Sequence, residues 1–193
     1  MRVWGSLVVA LWLAGAAAAM AEAKLGEFIP ADPPQPAPEM SLTDTDGKTV
    51  ALADLKGKLV LINLWATWCQ PCLKEMPSLA ELPKALGDGF VLLAVSEDRG
   101  GGKVVTPFIE KLGIDKRGLD RLKVYLDPES KVGHAFSVRG LPTSIVIDPK
   151  GDVRGRIEGA AEWDQAKMLD ALKKLLPPDG GKKLPDTVKA SSD

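Results

Sequence analysis

Apolar positions fall into two kinds of pattern along this chain. Leu59 to Trp65 (Leu-Val-Leu-Ile-Asn-Leu-Trp) and Phe90 to Val95 are nearly continuous apolar runs. Each predicts a strand covered on both faces. Between them, Leu73, Met76, Leu79, Leu82 and Leu86 recur at helical spacing after Pro71, which predicts a helix. Pro77 is expected to kink it and Pro83 to do the same nearer its end, since a proline lacks the backbone donor. Val104 to Leu112 predicts a second helix, after a mobile lead-in at Gly100-Gly101-Gly102. Lys123 to Leu126 predicts a third strand and Lys131 to Phe136 a short helix. Thr143 to Ile147 and Val153 to Ile157 predict two strands joined by the turn Asp148-Pro149-Lys150-Gly151-Asp152. Trp163, Ala166, Leu169, Leu172 and Leu176 form the stripe of a last amphipathic helix, stopped by Pro177-Pro178. Near the start, Met40 to Thr43 and Thr49 to Leu52 alternate about Asp44-Thr45-Asp46-Gly47, a hairpin signal. Strands alternating with helices, plus hairpins, predict an α/β fold with a central mixed β-sheet flanked by helices.

The ends read differently. Arg2 is followed by an apolar or small stretch over residues 3–21, with small-x-small patterns around Ala19, Ala21 and Ala23. That is a cleavable signal peptide or a retained membrane anchor, for which roughly 20 apolar residues suffice. Both place the rest of the chain outside the cytoplasm, in the periplasm or on the extracytoplasmic face. Residues 24–39 carry Pro30, Pro33, Pro34, Pro36 and Pro38 and are expected to be an extended linker. The expected division is therefore 1–23 signal or anchor, 24–39 linker, 40–177 folded domain and 178–193 disordered tail.

Composition narrows the function. The 193 residues are 45% hydrophobic and 26% charged, ordinary for a domain with a real core. Lys+Arg number 25 against 26 Asp+Glu, so no basic balance suggests a nucleic-acid partner. The five methionines are scattered, without the clustering of a copper site. One histidine, His134, and two cysteines leave too few ligands for a zinc centre.

Those cysteines are the chemistry. Cys69-Gln70-Pro71-Cys72 lies where a buried strand gives way to a helix. A helix N-terminus offers unsatisfied N–H groups and partial positive charge, which stabilise a thiolate. Cys69 is then the nucleophile in disulfide exchange, and Cys72, one turn into the helix, resolves the mixed disulfide. Pro71 suits the first turn, where its missing N–H costs little. A static disulfide is the structural alternative, although so short a loop restrains the unfolded chain weakly.

Trp65-Ala66-Thr67-Trp68-Cys69-Gln70-Pro71-Cys72, continued by Lys74-Glu75-Met76-Pro77, resembles the active-site segment of thioredoxin-like thiol–disulfide oxidoreductases. It is most similar to the TlpA/ResA-like branch, and the resemblance spans Met40 to Leu176. It implies a thioredoxin-like fold with an added N-terminal β-hairpin and an insert around 97–122. Gly140-Leu141-Pro142-Thr143-Ser144 resembles the family's second site segment. By that resemblance the Leu141–Pro142 bond is cis, with the Leu141 backbone free to pair with a client strand. Trp65 is expected in the core and Trp68 at the border of the site. The buried Asp of many thioredoxins is replaced by Asn63, which cannot titrate. The resemblance makes Glu97 the candidate proton shuttle, with Asp98 as its rival.

The implied activity needs no dissociable cofactor beyond the Cys69–Cys72 disulfide and no metal. It implies a reductase of client-protein cysteines awaiting haem or copper in cytochrome c or oxidase biogenesis, supplied by a transmembrane electron donor. A disulfide-donating oxidase or isomerase is the first alternative, and a non-catalytic binding or metal-carrier module the second. A thiol peroxidase would show Pro-x-x-x-Thr-x-x-Cys, but Ile62 and Ala66 stand at those positions.

Overall fold

Strand β4 (Leu59–Trp65) explains the architecture through its own alternation. The computed structural model describes residues 25–114 and 122–181. Every residue of β4 is buried. Leu59, Leu61 and Trp65 enter one apolar cluster, while Val60, Ile62 and Leu64 enter another on the opposite side of the sheet. The neighbouring β5 (Phe90–Ser96) repeats this: Phe90, Leu92 and Ala94 face the first cluster, Val91, Leu93 and Val95 the second. A two-residue period with both faces apolar is what a sheet covered on both sides requires.

The sheet has eight strands in the order β1-β8-β7-β4-β5-β6-β2-β3. They are β1 (Phe28–Pro36), β2 (Ser41–Asp44), β3 (Thr49–Ala51), β4, β5, β6 (Val124–Leu126), β7 (Thr143–Ile147) and β8 (Asp152–Glu158). Strand β4 runs parallel to β5 and antiparallel to β7, so the sheet is mixed. Helices α1 (Gln70–Ala80), α2 (Leu82–Leu86), α3 (Gly102–Ile114), α4 (Lys131–Ala135) and α5 (Ala166–Lys173) complete the layers. Leu73, Met76 and Leu79 of α1 join Leu82 of α2, Val105 of α3 and Leu172 of α5 in the first cluster. Val132 of α4 packs into the second with the β2–β3 hairpin.

Most elements stand where the sequence pattern puts them. The added hairpin is β2–β3, joined to the sheet through β2 and β6. Asp148 closes the β7–β8 turn by accepting the N–H groups of Lys150 and Asp152. The residues at 1–23 and most of the tail lie outside the described residues, as do residues 115–121 of the insert.

Three expectations change. Residues 24–39 are not a linker: Phe28–Pro36 is strand β1, antiparallel to β8 at the sheet edge. An edge strand tolerates proline because only one side of its backbone needs partners. The register shifts between Pro30 and Gln35, and the Asp32–Pro33 bond within that interval is cis. The second change concerns the prolines after the cysteines. Helix α1 runs through Pro77 and stops at Ala80, and α2 restarts with Pro83 in its first turn, where a proline costs little. Finally, the last helix is shorter than its stripe, covering Ala166–Lys173, with Trp163 buried ahead of it in the preceding loop.

Candidate active site

Strand β4 ends at Trp65 and α1 begins at Gln70, so the turn between them delivers Cys69 to the N-cap of α1. The Cys72 N–H points at Cys69 Sγ at 3.3 Å, and the Leu73 N–H donates to the Cys69 carbonyl at 3.1 Å. The first turn of the helix is therefore arranged around the first sulfur, which helix-terminal N–H groups stabilise as a thiolate. Pro71 lies in that turn. The two cysteines are joined as a disulfide, with Cα atoms 5.3 Å apart. Cys72 is wholly buried, so a partner approaches from the side of Cys69.

The Leu141–Pro142 bond is cis, at the entry to β7 beside β4. Leu141 divides two cavities. One, of about 670 Å³, has Trp68, Glu97, His134 and Arg139 among its walls. The other has Pro71, Pro142, Glu158 and Leu25. Trp68 is 68% exposed and Leu25 79%, and both are large apolar side chains presented to solvent on either side of Leu141. Leu25 was not expected here. It arrives because β1 pairs with β8, and the Gly26 N–H donates to the Glu158 carbonyl at 2.7 Å.

Three carboxylates lie on or against the elements that flank the cysteines, and they differ. Glu97 follows β5, its N–H donating to the Trp65 carbonyl at 2.9 Å. Its side chain lines the Trp68 cavity against Gly133. Burial pushes its carboxyl up from the usual range, the nearby Asp127 charge adds to this, and His134 opposes it. Neither cysteine is among the walls of that cavity. Asp98, the rival, is buried and occupied in hydrogen bonds to Thr67 and Ser96.

The third, Glu75, belongs to the sequence motif but had no role assigned to it. It lies one turn after Cys72 on the buried face of α1, a spacing that puts Cβ atoms about 5–6 Å apart. Its Oε1 accepts the Asn63 side-chain amide at 2.9 Å. Its Oε2 accepts the Ala161 N–H at 2.9 Å and the Trp163 indole N–H at 3.1 Å. Burial raises its carboxyl above the ordinary value, and these three hydrogen bonds pull the other way. Asn63 occupies the face of β4 shared by Leu61 and Trp65, so it looks up at α1; it also donates to Ser144 Oγ at 2.9 Å. The signal was available in the helical spacing of Cys72, Glu75, Met76 and Leu79, which places a charged residue on an apolar face.

Comparison with known proteins agrees with this geometry. Residues 33–156 match the AhpC/TSA family. The chain is 38% identical over 142 residues to the thiol-disulfide oxidoreductase ResA of Bacillus thuringiensis strain Al Hakam, covering 73% of this chain and 77% of that one. It is 40% identical over 119 residues to ResA of Bacillus subtilis strain 168, covering 61% and 62%. Among solved structures, the exposed lipoprotein thioredoxin Etrx1 of Streptococcus pneumoniae superposes with a TM-score of 0.59 at 33% identity, covering 72% of this chain and all of that one. A DsbE-like thiol:disulfide interchange protein of Chlorobium tepidum gives 0.59 at 26% identity, covering 74% and 93%. With its cysteine pair at the head of α1 and a cis proline beside it, the chain belongs to the thioredoxin-like AhpC/TSA family and is a thiol–disulfide oxidoreductase of the ResA type.

Proposed function

We propose that this protein is an extracytoplasmic reductase of client-protein disulfides. The observation that carries the exchange chemistry is Cys69 at the N-cap of α1 with Cys72 buried one turn behind it. In the reduced protein the Cys69 thiolate attacks a client disulfide. One client sulfur leaves and takes a proton, and Cys69 is left in a mixed disulfide. The Cys72 thiol loses its proton and its sulfur attacks Cys69, releasing the second client sulfur, which is protonated in turn. The client gains two electrons and two protons, and the Cys69–Cys72 disulfide re-forms. A transmembrane dithiol donor restores the reduced state, and the clients are cysteines awaiting haem or copper. Membrane attachment through residues 3–21, or export by their cleavage, supplies the compartment.

The client lies along Leu141, pairing with its backbone, between Trp68 on one side and Leu25 with Pro71 and Pro142 on the other. Proton transfer at Cys72 is assigned to Glu75 in preference to Glu97. What supports this is its place on the same helix face as Cys72 and a carboxyl held above its ordinary value. The thiol-peroxidase alternative is set aside on the motif: Ile62 and Ala66 stand where its Pro and Thr would precede Cys69.

The deciding experiment is the reduction potential of the Cys69–Cys72 pair. A value near the thioredoxin end, roughly −270 mV, supports the reductase. A value near roughly −120 mV makes the disulfide a strong oxidant and replaces this proposal with a disulfide donor.

A further inference from the structure

Asp98 is 4% exposed, although Arg99 and Gly100 beside it are open to solvent. Its Oδ2 accepts the Thr67 N–H at 2.8 Å and the Ser96 hydroxyl at 2.8 Å, and its Oδ1 accepts the Thr67 hydroxyl at 2.7 Å. The Ser96 oxygen itself accepts the Asp98 N–H at 3.2 Å, which leaves its one proton for the carboxylate. Three donors converge on two oxygens, the environment of an acceptor-only carboxylate. Those donors come from the end of β5 and from the turn between β4 and α1.

That turn carries the nucleophile. The Cys69 N–H donates to the Ala66 carbonyl at 3.1 Å, closing Ala66 to Cys69, and Asp98 grips Thr67 inside it. Trp68, the next residue, therefore projects outward from a fixed backbone, and Cys69 is held in line with the first turn of α1. The carboxylate is anchored at Thr67, two residues before the nucleophile, and a buried charge there acts through a low-dielectric path.

We propose that Asp98 is a positioning residue of the redox centre: it locks the Ala66–Cys69 turn and, as a buried anion, disfavours the Cys69 thiolate. Less thiolate at Cys69 favours the disulfide over the dithiol, which poises the pair as a reductant. This rests on Cys69 being the nucleophile. The other titratable or charged groups around the turn are Glu97 and His134 in the Trp68 cavity, Arg99 and Arg139 at its rim, and Glu75 beneath α1. All of them stay in place in the variants below.

The test compares the full chain with Asp98→Asn and Thr67→Val. Asp98→Asn removes the charge and keeps the shape, whereas Thr67→Val removes one donor and keeps the charge. The readouts are the pH midpoint of Cys69 alkylation in the reduced protein and the equilibrium with a reference dithiol. In Asp98→Asn the midpoint falls by roughly one pH unit, and the equilibrium shifts about tenfold toward the dithiol. Thr67→Val slows alkylation at every pH and leaves the midpoint in place. An unmoved midpoint and equilibrium in a folded Asp98→Asn protein would overturn the proposal, as would an equal midpoint shift in Thr67→Val. Should Asp98→Asn not fold, Asp98→Glu keeps the charge and must retain the wild-type midpoint, and a shift there overturns it equally. If Cys69→Ser leaves the alkylation titration intact, the nucleophile assignment has failed instead.

Discussion

Glu75 and Asn63 are joined by a 2.9 Å hydrogen bond from the Asn63 amide to the Glu75 carboxyl, buried between α1 and β4. The carboxyl lies on the helix above, and the strand supplies a neutral donor to hold it. One acid in this position can be shared with donors; two would repel.

Glu75 should make the domain's stability pH-dependent in a definite direction. Its folded carboxyl is raised above 4.5 chiefly by burial, so the fold favours its neutral form. That contribution is fully present below about pH 4.5 and is lost as pH rises through the folded value. Glu75→Gln removes this slope; its oxygen can keep the Ala161 and Trp163 N–H groups, which leaves its NH2 facing the Asn63 amide donor, at a cost of about 1–3 kcal/mol. Denaturant titrations at several pH values should show the variant less stable throughout, with the deficit shrinking as pH increases.

Asn63→Asp tests the same pair from the other side. A second carboxyl would meet Glu75 where the amide now donates, while its contact with Ser144 would reverse, the serine hydroxyl donating to the new carboxylate. At neutral pH the pair must hold a proton or repel. The expected result is a thermal midpoint well below wild type at pH 8 that recovers substantially at pH 5. Equal losses at both values would exclude like-charge repulsion as the cause.

Cys72→Ser should trap what the wild type passes through. With Cys69 at the helix N-cap and no resolving thiol, a mixed disulfide between Cys69 and a client accumulates and is released by added dithiol. Cys69→Ser forms no such adduct, because Cys72 is wholly buried. Non-reducing gels and intact-mass measurement distinguish the two.

Leu25→Ser should separate client capture from folding. Leu25 is 79% exposed, so the fold should lose no more than about 0.5 kcal/mol. Yet Leu25 lines the cavity with Pro71 and Pro142, so the KM for an unfolded disulfide-bonded protein should rise several-fold. An unchanged KM would remove the β1 arm from the client cleft.

Much of this molecule was written in local pattern. The two-residue alternation in β4 and β5, the helical spacing after Pro71 and the strand-to-helix break at Cys69 each depend on neighbours a few positions apart. They determined the α/β fold, the mixed sheet and the chemistry of Cys69 and Cys72. What the sequence could not decide depends on partners far away in the chain. Phe28 pairs with Ile157, which turned a proline-rich stretch from a linker into an edge strand and brought Leu25 to the cleft. Glu75 finds its donors 12, 86 and 88 positions away, and Asp98 reaches Thr67 across 31. A carboxylate's charge, reach and acidity are set by the burial and donors that the fold assembles around it, so only the tertiary structure assigned Glu75, Glu97 and Asp98 to three different environments.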